Sequence, residues 1–172
     1  MTQQPLSPET VSKAAHAQNE RNASELASVV RAVVDRVLVE EDVFVVDLVC
    51  RGSAEKRVIE VFVDSQAHLN VDQLASISRR VAKIIETEDL IQSAYRLDVS
   101  SPGAERPLTD IRQYGKHVGR PLLVRHGSAD SAAVLQGILH EVTPSYIVLE
   151  VDGSHQSLPV HSIISSTVLL PW

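Results

Sequence analysis

Five of the seven histidines, His117, His126, His140, His155 and His161, fall late in the chain. A metal site would need two or three of them to converge with a carboxylate. Their spacings match no ligand signature, and strands carry surface histidines without special cause, so no metal is expected. Ser100 and Ser101 have the chemistry of nucleophiles, but a nucleophile needs a positioned base, and no G-x-S-x-G turn surrounds them. The simpler role for this pair is to end a strand and lead the turn into Pro102-Gly103. The seven glycines form neither a Walker loop nor a G-x-G-x-x-G cradle. Cys50 is the single cysteine, which excludes an internal disulfide and a Cys-rich zinc site and leaves a small core hydrophobe. The expectation is a protein without catalytic residues or cofactor.

Charge separates two regions. Residues 23–105 carry 9 basic and 15 acidic side chains, while residues 106–172 carry 5 of each. All five basic ones, Arg106, Arg112, Lys116, Arg120 and Arg125, lie within twenty residues, opposed there only by Asp110. The net charge of −6 argues against a protein that coats nucleic acid through a basic surface. A second cationic group, Arg79, Arg80 and Lys83, sits off the apolar stripe of a helix, as a solvated face or as a contact for RNA phosphate. The acidic run Glu40-Glu41-Asp42 is a solvated loop or a site that meets a basic partner.

The elements that would position these groups follow from periodicity. At 172 residues the chain has room for one domain or two small ones, and 44% hydrophobic residues suffice for a core, built from aliphatic side chains because aromatics are only 3%. No apolar run approaches the roughly 18 residues that span a bilayer, and Met1–Glu20 lacks an apolar signal core, which points to a cytoplasmic protein. Residues 1–21 have little to bury and are expected to form a disordered tail. Leu26, Val29, Val30, Val33, Val34, Val37 and Leu38 then recur at helical spacing, with Asn22 and Glu25 spaced as a capping box. Two strands follow, Val43–Arg51 and Arg57–Asp64, the second with Ile59, Val61 and Val63 inward and Glu60 and Asp64 outward. A helix from Val71 to Thr87, started by Asn70 and Gln73, leads to a strand from Tyr95. Beyond the prolines Pro102 and Pro107, five short strand-like runs fill about 60 residues, with Asp152-Gly153 as a hairpin turn. The expected class is α+β. An N-terminal α-β-β-α-β sandwich domain over 22–101 and a junction at 102–108 precede a small SH3-like (Sm-like) β-barrel over 109–172. Gly103 is expected at positive φ or where a Cβ would clash.

The segment Tyr95-Arg96-Leu97-Asp98-Val99-Ser100-Ser101-Pro102-Gly103-Ala104-Glu105-Arg106-Pro107-Leu108 closely resembles the signature of the bacterial ribosome maturation factor RimP family, a strand running into S-S-P-G-x-x-R-P-L. Val63-Asp64-Ser65, Val71-Asp72 and Gln136-Gly137-Ile138-Leu139 agree in order, and the resemblance covers Ser24 to Trp172. Asp98 stands where glutamate is usual, and the loop Gln66–Asn70 lacks a glycine often found there. The resemblance implies the same two-domain fold and a non-enzymatic assembly factor for the small (30S) ribosomal subunit. It would bind the free, immature subunit and help install small-subunit ribosomal protein twelve.

On that resemblance the interdomain signature is Ser100, Ser101, Pro102, Gly103, Arg106, Pro107 and Leu108. The expected partner-binding residues, for protein or RNA, are Arg106, Arg112, Lys116, Arg120, Leu122, Val124, Arg125, Leu135, Gly137 and Leu139. The expected partners are the free small subunit, protein twelve and ribosomal RNA, with no membrane, and the chain acts as a monomer. An acidic factor attracts a basic ribosomal protein, while a local basic strip keeps a weak, salt-sensitive hold on RNA. The rival reading, a stand-alone Sm-like RNA-binding module, needs stacking aromatics, and the second region offers only Tyr114, Tyr146 and Trp172.

Overall fold

The computed structural model describes residues 8–53, 56–103, 106–128 and 131–170, with side chains in the first helix described from Glu20. It is a mixed α+β protein with two sheets. The order is α1 (Pro8–Leu38), β1 (Val43–Arg51), β2 (Arg57–Ser65), α2 (Val71–Thr87) and β3 (Tyr95–Ser100). Five more strands follow: β4 (Pro121–Ser128), β5 (Ser131–Val142), β6 (Tyr146–Val151), β7 (Ser154–Pro159) and β8 (Ile163–Val168).

The segment expected to be a disordered tail is helical from Pro8 onward, while residues 1–7 lie outside the described residues. Scarcity of apolar residues argues against a core there, not against a helix. Alanines, glutamates and glutamines propagate a helix readily, and proline is tolerated in its first turn. Asn22 therefore lies inside α1 and not at its start. Val29, at 40% exposure, lies off the buried stripe of Val30, Val33, Val34 and Val37.

The chain divides into two compact units. One gathers α1 to Glu41, Asp47–Phe62 and Val71–Ser100; the other gathers Asp42–Val46, Val63–Asn70 and the chain from Ser101 onward. In the first, the sheet order is β1-β2-β3, with β2 and β3 parallel across the α2 crossover. The stripe of Ile77, Val81 and Ile85 on α2 is buried, as are Ile59 and Val61 of β2. Two ion pairs tie α2 and its exit to α1 and the turn that follows it: Arg36 forks onto Glu88 at 2.8 and 3.1 Å, and Arg80 pairs with Glu41. Arg80 also donates to the Val37 carbonyl at 2.6 Å. Arg80 and Glu41, each weighed above as a partner contact, are thus committed to holding the helices.

In the second unit a five-stranded antiparallel sheet runs β7-β6-β5-β4-β8. Its core is Leu108, Tyr114, Leu122, Val124, Leu139, Ile147, Leu149, Leu158 and Val168. Asp152 and Gly153 turn the β6–β7 hairpin with φ of 50° and 76°, the pair of positive values a type I′ turn requires. The last strand, expected over Ser166–Leu170, runs over Ile163–Val168 instead, after a 3-10 turn over Val160–Ser162.

Candidate functional site

A cleft of about 200 Å³ opens in the second unit, lined by Ser101, Pro102, Gly103, Arg106 and Leu108 of the signature together with Asp64, His68, Gln113, Lys116, His117 and Arg120. Its floor is Asp64, which strand alternation places in solvent but which is only 3% exposed. Alternation fails because Val63, Asp64 and Ser65 are all buried, at the point where β2 enters the second unit. One Asp64 oxygen accepts from the Ser65 N–H at 2.8 Å and from Lys116; the other accepts from Gln113 Nε2 at 3.0 Å. Gln113 is fixed in turn, its Oε1 accepting from the N–H groups of Thr109 at 2.9 Å and Asp110 at 3.1 Å. Sequence reasoning gave Asp64 and Gln113 no role. The only trace of the second is its spacing from Asp110, which forms a capping box around the 3-10 turn Ile111–Gln113.

The signature has a packing task as well. Its Leu108 enters the core, and the Leu108 N–H donates to the Ser166 carbonyl of β8 at 2.7 Å. The Arg106 N–H closes a turn onto the Gly103 carbonyl at 2.9 Å. The expectation for Gly103 is wrong: its φ is not positive, and a Cβ there would meet nothing within 4 Å. Ser100 ends β3, and Pro107 lies on a separate groove with Ile111 and Ile164.

The five clustered cations are not one strip. Lys116 is held by Asp64, and Arg112 forks onto Asp110 at 2.6 and 3.0 Å with its guanidinium 4.0 Å above the Phe44 ring. Arg106 lines the cleft half-buried, and Arg120 and Arg125 are exposed. The apolar part of the expected partner face also needs correction. Leu122, Val124 and Leu139 are fully buried and cannot touch a partner, while Leu135 is half-buried against the same core. Gly137 is half-buried too, and a Cβ there would approach the Glu150 carbonyl to 2.7 Å. The residues one step out of phase are the exposed ones: Leu123 at 39%, Val134 at 63% and Ile138 at 45%. Register puts Arg125 opposite Val134, with Leu123 between Val134 and Ile138 on the diagonals.

Serine, histidine and carboxylate meet in the cleft without forming a relay. Asp64 is engaged by Ser65, Gln113 and Lys116, and no hydrogen bond joins it to a histidine or to Ser101 among the described residues. No nucleophile with an oriented base is built in this cleft among the described residues. His117 Nδ1 is buried without a hydrogen-bond partner among the described residues. Burial first, then the charges of Lys116 and Arg120, lower the imidazole from its ordinary value of 6.5. A group harder to protonate when folded supports stability fully above its unfolded value and loses that support as pH falls toward the folded one. The urea midpoint should drop between about pH 7 and 5, and His117→Gln should flatten that slope. A slope that the substitution leaves untouched would count against this role.

Residues 33–105 match the family described as the RimP N-terminal domain. A ribosome maturation factor RimP from Prosthecochloris aestuarii is 37% identical over 121 residues, 68% of this chain. The chain belongs to the RimP family. The alignment spans 64% of that relative's length. The RimP N-terminal match ends at residue 105, inside the signature, so Arg106, Leu108 and the five-stranded sheet lie beyond that family match.

Proposed function

We propose that the chain is a non-catalytic ribosome maturation factor that binds the free small subunit and helps seat small-subunit ribosomal protein twelve. Membership in the RimP family carries this reading. The geometry supports it in three ways: an acidic chain attracts a basic ribosomal protein, an outward apolar face of Leu123, Val134 and Ile138 gives it a surface to settle on, and Arg120 and Arg125 remain exposed for RNA phosphate. In this reading the α-β-β-α-β elements form a sandwich domain, the five-stranded sheet is an SH3-like barrel, and residues 102–108 join the two. The protein acts as a cytoplasmic monomer. No helix among the described residues is long and apolar enough to cross a membrane.

The Sm-like RNA-binding alternative has less support. Tyr114 is buried, Tyr146 donates its hydroxyl to Glu141 at 3.1 Å, and Trp172 lies outside the described residues. A stacking platform for bases is missing among the described residues. Sedimentation with free small subunits and with whole ribosomes tests the proposal. The protein should travel with free subunits only, and its hold on protein twelve should weaken severalfold between about 50 and 200 mM salt. Equal binding to whole ribosomes would sink it.

A further inference from the structure

The rings of His140 and His155 stack with centroids 4.3 Å apart and planes 26° apart. Glu150 lies beside them, and one ligand atom from each of the three residues falls within 4.8 Å of the others. Strand register makes this cluster, which is why the spacing of the residues in sequence conceals it. Glu150 and His155 are direct partners across β6 and β7. On the other side Leu139 pairs with Leu149, and the register then slips so that Glu141 meets Val148. His140 is the additional residue in that bulge, and a bulge re-aims the side chain it carries. Leu139 and Leu149 are fully buried at the same positions of the two strands. The donors therefore project from a packed sheet and not from a loop.

Two imidazole nitrogens and one carboxylate suit a borderline divalent transition metal. Magnesium and calcium favour all-oxygen sites. Bonds of about 2.0–2.2 Å require the three donors to lie within about 4.4 Å of one another. All three side chains are exposed, so rotation of their own torsions can achieve this without moving backbone. We propose that His140, Glu150 and His155 bind one divalent transition-metal ion of the zinc and nickel class, with water completing the coordination. The ion would clip β7, an edge strand, to β5 and β6, and so stabilise the folded second unit by mass action. This inference is independent of the ribosomal reading.

The test titrates Zn(II) alone into the untagged full-length chain, with a chromophoric chelator as competitor. One saturable site is expected. His140→Ala and His155→Ala should each weaken it by at least the roughly tenfold that loss of even an outer-sphere partner costs elsewhere. Because a substitution at a bulge can disturb its strand, the histidine ring signals of the unaltered chain provide a second readout. Those of His140 and His155 should shift together on adding Zn(II), with His16, His68, His117, His126 and His161 unmoved. No saturable binding, wild-type affinity in both alanine variants, or any other pattern of shifted rings overturns the proposal.

Discussion

Replacing Lys116 with methionine should destabilise the second unit by about 3 kcal/mol, because it leaves a buried carboxylate without its counter-charge. The side chains of Lys116 and Asp64 are 16% and 4% exposed, so water cannot substitute for the missing ammonium. The Ser65 N–H and Gln113 Nε2 would remain as donors, too few to carry a full negative charge out of water. Methionine keeps most of the lysine stem, which confines the change to charge and hydrogen bonding. Adding Asp64→Asn to the methionine variant should recover a good part of the loss, since a neutral amide oxygen still accepts from Gln113 or Ser65. A double-mutant cycle by urea unfolding measures both effects. A single variant within about 0.5 kcal/mol of the parent would show the pair to be dispensable. Severing the exposed Arg96–Asp98 pair is the control and should barely register.

The Asp64–Lys116 pair also marks where sequence stops being legible. The stripe of α2, the inward set Ile59, Val61 and Val63 and the Asp152-Gly153 hairpin were all readable, because each follows from local period or turn chemistry. Asp64 was not. Its burial depends on the end of β2 joining a unit whose other parts lie about fifty residues further on, and no local pattern reports that. The same discontinuity means that a piece beginning at residue 102 lacks the counter-ion of Lys116. For α1, apolar content is a signal of burial and not of order. The cations failed differently. Composition counts charges but not partners, so Arg112 and Lys116 looked available when Asp110 and Asp64 already hold them. The outward apolar positions differ from the expected ones by a single step of parity. An alternating strand announces two faces, and in Leu122-Leu123-Val124 both are apolar, so the sequence alone does not say which one enters the core.

That parity sets the last prediction. Leu123→Thr with Ile138→Thr should lower affinity for the free small subunit, and for its protein twelve, by about tenfold. Threonine is β-branched and suits a strand, and it removes apolar area from positions already 39% and 45% exposed. Stability should therefore change by no more than about 0.5 kcal/mol per site. The neighbouring substitution Leu122→Thr is the opposite case. It places a hydroxyl and a void in a fully buried position and should cost about 2–4 kcal/mol of stability, with little effect on affinity once the protein is folded. Arg125→Ala, opposite Val134 on the outward face, should weaken binding mainly at low salt, because an exposed charge acts through steering and phosphate contact that salt screens. Arg112→Ala should leave affinity near the parent value, since its guanidinium is already held by Asp110 and the Phe44 ring. Parent-like binding by the Leu123→Thr/Ile138→Thr chain, with its melting curve intact, would place the partner on some other surface.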